Sequence, residues 1–328
     1  MASTQSALTS SSTPELGHPV RGYLAIAAAG LCWGICAALG RAVFTGKLLG
    51  SAVHPVDPLI LSQTRTTITF LILAGFLLPR RGLGVFRMPR RDLLRCLVLG
   101  VVGMAFCNYS YYYAIERTNV ATAITLQYAA PVLVLLYMVM RGRQRATLQR
   151  VGSVVMGVVG IALAIGVVGR GRFHVDLKGL IAAEVSAVTF AYYNIAGGAM
   201  LKRLDRWRLL LLVQLAAALW WNVVNPPWRV LAAQYSAAQW LFLIGFALLS
   251  ALIPASLYLV GLRHLDATRA VVTSCLEPVF TILIAVLALG EGLRALQVVG
   301  IVIVLTATIA VQLPEKGHEP APIVEPVD

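Results

Sequence analysis

The chain has 328 residues, of which 59% are hydrophobic and 12% charged, and its mean hydropathy is +0.79. This composition excludes an ordinary water-soluble domain, and apolar stretches of about 20 residues indicate membrane-spanning helices. The formal net charge of +13 does not indicate nucleic-acid binding, because the basic residues lie in short gaps between apolar stretches. That distribution is typical of the loops that orient a membrane protein.

The pattern along the chain predicts an all-α polytopic membrane protein with ten transmembrane helices. Residues 1–21, rich in Ser and Thr, predict a disordered cytoplasmic tail, and the polar residues 314–328 predict a second one. The predicted spans are approximately 22–44, 58–79, 93–114, 118–140, 147–169, 177–201, 207–225, 239–262, 267–289 and 293–313. Most Lys and Arg residues lie in loops on the side of the N-terminus, so both termini are expected in the cytoplasm. The localisation expected is therefore the cytoplasmic membrane.

An internal duplication divides these spans into two sets of five. Residues 112–132 align with residues 259–279, and the alignment resumes further on after one inserted residue. The aligned pairs are Ala123 with Ala270, Gln127 with Ser274, Pro131 with Pro278, Gln149 with Gln297, and Gly152 with Gly300. We predict one repeat at 22–169 and a second at 177–313. Because five is an odd number, the second repeat enters the membrane inverted, and such repeats hold their substrate near the midplane between the halves.

Short motifs occur in the same order along these spans. They are Leu31-Cys-Trp-Gly34, Arg65 in SQTRTTITF, Ala129-Ala-Pro-Val, Leu276-Glu-Pro-Val-Phe, and Gly290-Glu291 followed by Gln297 and Gly300. Together, over about residues 22–313, they resemble the EamA-type transporters of the drug/metabolite transporter superfamily. The resemblance implies ten helices around a central cavity, alternating access, a small-molecule substrate and no bound cofactor. The first repeat departs from the pattern, because it has Gly142-Arg143 where the second has Gly290-Glu291.

Glu277 is the first candidate for a substrate or proton pathway. Counted from Arg269, it lies about 12 Å along a helix that begins there. An ionised carboxylate at that depth costs at least about 2.5 kcal/mol against lipid, so it should face a partner, water or a cargo. Burial favours the neutral form, which a proton acceptor needs. A counter-charge for a cationic group and a structural pair with an arginine are the alternatives.

Pro131 and Pro278 predict helix breaks with a role in gating. Pro278 has no N–H and leaves the carbonyl of Ser274 without its helical donor, which opens a polar spot inside the span. Gln127 and Tyr128 lie at the matching position of the first repeat. Rows of small and polar residues such as these suit either a cavity wall or close helix packing.

Two further charged residues lie inside spans. Arg65 is compatible with binding a substrate carboxylate or with a buried ion pair that orients helices. Glu184, in the sixth span, is compatible with a second titrating group or with a polar contact near the interface. An arginine and two acids would suit a zwitterion such as an amino acid, and they would also suit many cations.

Several aromatic and amide side chains complete the candidates. Trp33, Tyr193 and Asn194 suit contact with an amphipathic or aromatic substrate, including cation–π contact, or simple packing. Asn108 and Tyr111 to Tyr113 are assigned to the outer interface, because they close the third span.

We predict secondary transport of a small metabolite, amino acid or drug-like compound across the cytoplasmic membrane by alternating access, as efflux, coupled to protons through Glu277. The sequence has no GxxxxGK loop, which disfavours ATP-driven pumping. An uncoupled facilitator or exchanger is the alternative of the same class. A membrane enzyme or scaffold is disfavoured, because the five histidines are scattered and no acidic pair stands at metal-ligand spacing. We expect no metal and no nucleic acid as a partner, and both a monomer and a dimer are compatible with the sequence.

Overall fold

The computed structural model describes residues 19–44, 57–118, 120–164, 176–289, 294–311 and 313. These residues are almost entirely helical, and no strand occurs among them. The predicted tails lie outside the described residues, apart from positions 19–21, which form the first turn of the first helix. Gly290 and Glu291 also lie outside them.

The first half of the chain forms seven α-helices in its described part. They are α1 (Pro19–Phe44), α2 (Pro58–Arg81), α3 (Arg90–Val98), α4 (Cys107–Arg117), α5 (Val120–Gln127), α6 (Ala130–Met140) and α7 (Leu148–Ala164). A 3-10 helix, Gly82–Phe86, follows α2, and a π-helical stretch, Leu99–Phe106, joins α3 to α4. We call this stretch π1.

The second half forms eight α-helices in its described part. They are α8 (Leu177–Leu201), α9 (Arg206–Val224), α10 (Pro227–Ala232), α11 (Ala237–Ala247), α12 (Ile253–His264), α13 (Ala267–Ser274), α14 (Leu276–Leu289) and α15 (Ala295–Ala310). A second π-helical stretch, Leu248–Leu252, joins α11 to α12 and is called π2. Its place in the second half corresponds to the place of π1 in the first.

Aspartate side chains start four of the helices. Asp57, Asp176, Asp205 and Asp266 stand immediately before α2, α8, α9 and α13, and each accepts hydrogen bonds from backbone N–H groups of the first turn. A carboxylate there satisfies N–H groups that have no partner inside the helix and interacts favourably with the helix dipole. The acidic residues of the loops therefore fix where these helices begin.

Five described stretches are long and apolar enough to cross a membrane. They are Pro19–Cys36, Pro58–Phe86, Arg90–Arg117, Arg206–Val224 and Ala237–His264. Helices α6, α7 and α15 are apolar but shorter. The fold is thus that of an all-helical membrane protein, and the count of ten crossings stays a prediction. One reason is that each predicted span containing Pro131 or Pro278 consists of two short helices, α5 with α6 and α13 with α14.

The first helix of each half packs against the other half at a glycine. A Cβ atom on Gly22 of α1 would lie 2.8 Å from Cγ of Leu265, just after α12. A Cβ atom on Gly179 of α8 would lie 2.6 Å from Cγ2 of Thr118, just after α4. Thr118 and Leu265 are matching positions of the repeat alignment. The two contacts are those expected of two copies related by an approximate two-fold axis.

Helices α7 and α15 pack against each other with reciprocal amide contacts. Gln149 Nε2, near the start of α7, donates to the carbonyls of Ala310 and Leu313 at 2.7 Å each. Gln297 Nε2, near the start of α15, donates to the carbonyl of Ala164 at the end of α7, at 3.2 Å. The matched glutamines thus supply donors to carbonyls at the opposite helix end, which have no donor inside their own helix.

The close approach of α7 and α15 gives a stability prediction with an internal control. A Cβ atom on Gly300 would lie 2.2 Å from the backbone N of Ala164, so Gly300→Ala must separate the helices. We expect a loss of about 1–3 kcal/mol, as in other overpacked contacts. Gly152, the matching position in α7, has no atom within 4 Å of such a Cβ, so Gly152→Ala should be neutral or stabilising. Melting temperatures of the detergent-solubilised variants measure both, and equal effects would contradict this packing.

Candidate functional site

A cavity lies between the two halves of the chain, near the middle of the helices that surround it. Aromatic side chains form much of its wall, and they are Trp33, Tyr111, Tyr112, Tyr128, Phe190, Tyr193, Phe246 and Tyr258. The charged groups on the wall are Arg65, from the first half, and Glu277, from the second. A largely apolar pocket with a few convergent polar groups is the usual form of a small-molecule site.

Arg65 of α2 is buried, with 7% of its surface exposed, and it bonds to both halves. Its guanidinium donates to Asn108 Oδ1 at 3.3 Å and to the hydroxyl of Tyr112, both on α4. It also donates to the carbonyl of Ser250 in π2, which accepts a second bond from Trp33 Nε1 at 3.0 Å. A π-helical stretch interrupts the regular helical hydrogen bonding, so a carbonyl there can bond to side chains. This carbonyl holds both Trp33 and Arg65.

Three buried polar atoms on the cavity wall have no hydrogen-bond partner among the described residues. They are Arg65 Nε, Tyr111 OH and Ser250 Oγ. A buried polar group left without a partner costs about 1–3 kcal/mol, so such groups are uncommon in folded proteins. The residues that carry these atoms line the cavity, so polar groups without a partner lie directly behind its surface.

Glu277 is the second residue of α14 and is partly exposed to the cavity. Its Oε2 accepts a hydrogen bond from the hydroxyl of Tyr128 at 2.9 Å. Helix α1 lies against its backbone, since a Cβ atom on Gly30 would be 3.4 Å from Glu277 N, and one on Gly34 would be 3.2 Å from Glu277 O. The ion pairs found among the described residues do not join Glu277 to Arg65. The two opposite charges therefore face the cavity without neutralising each other by direct contact.

The helix break beside Glu277 is spanned by a side chain of the other half. Helix α13 ends at Ser274. The carbonyl of Ser274 has no helical donor, because Pro278 has no N–H. This carbonyl accepts a hydrogen bond from the hydroxyl of Tyr128 at 2.8 Å. On the other side of the cavity, Gln127 Nε2 donates to Ser186 Oγ of α8 at 2.7 Å. Both breaks are thus connected to the opposite half of the chain.

The structure brings most of the predicted pathway residues together. Those that line the cavity are Trp33, Arg65, Gln127, Tyr128, Tyr193 and Glu277. Ser274 lies just behind the wall and contacts Tyr128 through its carbonyl. Asn194 lies behind Tyr258, whose hydroxyl donates to its Oδ1, and its Nδ2 donates to the carbonyl of Phe190 at 2.8 Å.

Glu184 is not part of this group. It lies on the outer face of α8, where its neighbours are apolar, among them Ile181, Val185 and Val188. The helical period explains the separation, because Tyr193 follows about two and a half turns later and therefore faces the opposite way. The sequence placed Glu184 at a depth similar to that of Glu277, and depth alone does not determine the face.

We expected Asn108 and Tyr111 to Tyr113 at the outer interface, but Asn108, Tyr111 and Tyr112 line the cavity. Asn108 accepts a hydrogen bond from Arg65, and Tyr111 presents one of the unpartnered hydroxyls. Extended by one residue, the repeat alignment pairs Tyr111 with Tyr258, which also lines the cavity. The expectation rested on the position of Tyr111 at the end of the span, and that position does not determine which way a side chain faces.

The EamA-like transporter family matches residues 20–166 and again residues 177–312. The chain belongs to this family. The two matched segments correspond to the two halves that enclose the cavity, and together they cover most of the chain. The family and the apolar helices make the protein an integral membrane protein with a transport function.

Relatives of this EamA-family chain carry transporter names. An uncharacterised inner membrane transporter of Salmonella typhimurium, YicL, is 21% identical over 305 residues, 92% of this chain and 98% of YicL. An uncharacterised transporter of Archaeoglobus fulgidus is 26% identical over 287 residues, 85% of this chain and 98% of its own length. A protein of known crystal structure is 20% identical and superposes with a TM-score of 0.71 over 89% of this chain and 96% of its own, which shows a shared fold. These names point to transport and away from catalysis.

Arg65 gives a prediction for the stability of the site. Arg65→Lys keeps the charge but cannot bond to Asn108, Tyr112 and the Ser250 carbonyl at once, because an ammonium lacks the planar fork of a guanidinium. We expect a loss of about 1–3 kcal/mol, seen as a lower melting temperature of the detergent-solubilised protein. Arg80→Lys, at the exposed end of the same helix, is the control and should change little. A fully stable Arg65→Lys variant would show that these bonds do not hold the cavity together.

Proposed function

We propose that this protein is a secondary transporter that moves a small metabolite, amino acid or drug-like compound across the cytoplasmic membrane by alternating access. The observation that carries the proposal is the cavity between the two halves, with a cation and an anion that do not pair. A site enclosed between two repeats can open to one side when the repeats rock against each other. The direction we propose is efflux, with both termini in the cytoplasm.

The groups on the cavity wall favour a substrate that is both amphipathic and charged. The guanidinium of Arg65, with Ser250 beside it on the cavity wall, supplies the positive charge for an anionic group such as a carboxylate. Glu277 is placed to face a cationic group, and the aromatic rings of Trp33 and Tyr258, whose centroids are 5.4 Å apart, suit the apolar part or a cation. A small zwitterion with an apolar side chain meets all of these groups at once.

Proton coupling through Glu277 is part of the proposal. The carboxylate lies on the cavity wall, so it can be reached from whichever side the cavity opens to. Its hydrogen-bond donor among the described residues is Tyr128, and a single such donor leaves its charge only partly compensated. Exchange of a proton for substrate at this carboxylate would couple substrate flux to the pH gradient. In an uncoupled facilitator, the same carboxylate would only shape the cavity.

The first experiment identifies the substrate class. The detergent-purified protein is heated with amino acids, nucleosides, sugars or cationic drugs at two pH values. A ligand that binds the folded state raises the melting temperature by mass action, by the equivalent of about 2.7 kcal/mol at a hundred times its dissociation constant. We expect stabilisation by compounds that carry a charged group and an apolar part, and weakening of that effect in Arg65→Lys. Stabilisation by neutral sugars alone would contradict the proposed site.

The second experiment tests the role of Glu277. With a stabilising compound from the first screen, Glu277→Gln should abolish flux driven by a pH gradient in proteoliposomes, because the amide cannot carry a proton. Glu184→Gln is the matched control, since that carboxylate lies outside the cavity, and it should retain the coupling. If Glu277→Gln retains pH-driven flux, the proton-carrier role is wrong. If the variant retains only the exchange of substrate between the two sides of the membrane, proton coupling through Glu277 is supported.

A further inference from the structure

The hydroxyl of Tyr128 lies within hydrogen-bond distance of two acceptors. Its oxygen is 2.8 Å from the carbonyl oxygen of Ser274 and 2.9 Å from Oε2 of Glu277. Tyr128 is 3% exposed and follows directly after α5, so it belongs to the half of the chain opposite to both acceptors. A phenol has one proton, so it can donate fully to only one of the two at a time.

The charge of Glu277 determines which acceptor receives this proton. When Glu277 is ionised, its carboxylate is the stronger acceptor and also the group that most needs a donor. When Glu277 is protonated, its own O–H can donate to the phenol oxygen, and the phenol proton is then released to the Ser274 carbonyl. Tyr128 keeps its own proton in both arrangements. The proton that Glu277 gains or loses is exchanged with the cavity.

The Ser274 carbonyl has a special dependence on this bond. Pro278 removes its helical donor, and the carbonyl is buried at the point where α13 ends, so the donor has to come from a side chain. If the phenol turns to Glu277, this carbonyl loses its donor and the break between α13 and α14 is weakened. A buried carbonyl without a donor is unfavourable inside a membrane, which favours a rearrangement of the break.

The other described groups near Glu277 do not link it to the Ser274 carbonyl. Arg65, Tyr111, Tyr112, Cys36 and Cys275 lie within its electrostatic reach. Arg65 and Tyr112 are bonded to each other, and the Cys275 thiol donates to the carbonyl of Val271. Both half-helices pack against α1, α7 and α15, and α13 also packs against α6, α8 and α12. The charged residue of α7 is Arg150. Arg150 pairs with Asp266, at the far end of α13 from the break.

We propose that Tyr128 is a positioning residue that transmits the protonation state of Glu277 to the helix break at Ser274. Protonation of Glu277 directs the Tyr128 hydroxyl to the carbonyl and closes the break, and ionisation withdraws it and loosens the break. The switch rests on the proposed function, since it makes Glu277 the group that takes up the proton. It adds the means by which that proton changes the conformation of the second half.

The test needs no substrate and no pH gradient. Protein in lipid nanodiscs is titrated, and the charge of Glu277 is followed by the infrared band of its protonated carboxyl, assigned by its absence in Glu277→Gln. Amide hydrogen exchange of peptides covering residues 272–279, corrected for the intrinsic effect of pH, follows the break. In the wild type, we expect exchange here to rise about 5- to 10-fold as Glu277 ionises, as the loss of one hydrogen bond predicts.

Two variants should change this behaviour in different ways. Tyr128→Phe should move the midpoint of the carboxyl titration upwards by about one to two pH units, because the ionised form loses its donor. It should also leave the break in fast exchange at every pH. Glu277→Gln should keep the break protected at every pH, because the amide can donate to the phenol oxygen as a protonated carboxyl does. The second variant needs no change at Tyr128, so it tests the switch even if Tyr128→Phe folds poorly.

Two controls separate the switch from general effects of mutation. Tyr111→Phe removes a hydroxyl from the same cavity wall, and Ser274→Ala removes the side chain but keeps the carbonyl, so both should behave as the wild type does. An unchanged titration and unchanged exchange in Tyr128→Phe would overturn the switch, as would wild-type exchange that does not respond to the titration of Glu277. If the switch works but substrate flux does not depend on pH, proton-coupled transport is refuted and the switch still stands.

Discussion

The exclusion of water from the bilayer core is the constraint on which this structure depends. In hydrocarbon, every buried N–H, carbonyl and charge needs a partner from the protein itself. The described part of the chain nevertheless contains two helix breaks, two π-helical stretches and two charged groups at the level of the cavity. Their partners come mostly from the opposite half, as in the bonds from Tyr128 to Ser274 and from Arg65 to the Ser250 carbonyl. The polar groups that line the cavity are therefore also the groups that join the two halves.

The packing separates a rigid part of the molecule from a part that contains the site. Helices α7 and α15 approach so closely at Gly160 and Gly300 that a Cβ atom on Gly160 would lie 2.9 Å from the backbone N of Val304. Their ends are joined by the amides of Gln149 and Gln297. Around the cavity, by contrast, short half-helices meet through hydrogen bonds between side chains and carbonyls. Such bonds can be exchanged at small cost, whereas an interlocked helix pair cannot slide without breaking its packing.

Ion pairs at the ends of the helices connect the halves outside the cavity. Asp205 starts α9 and also accepts from Arg81 of α2 at 2.8 Å. Partial burial raises the pKa of Asp205, but the hydrogen bonds from Arg81 and from the first turn of α9 outweigh this and hold its pKa below the ordinary value. The carboxylate is therefore ionised at neutral pH. Because nearly half of each side chain is exposed, this ion pair orients α2 and α9 more than it stabilises the fold.

The sequence by itself determined the fold class, the two repeats, the breaks at Pro131 and Pro278, and the presence of the charged residues Glu277 and Arg65 inside apolar stretches, because each of these is visible as a local or periodic pattern. No such pattern reveals the hydrogen-bond partners of Arg65, because Ser250 and Asn108 are far from it in the chain and only packing brings them to it. The face of Glu184 was decided by the rotation of α8 against its neighbours, and that of Tyr111 by the packing of α4 around the cavity. A sequence specifies which residues are costly to bury in a membrane, whereas the tertiary structure determines which partners compensate that cost.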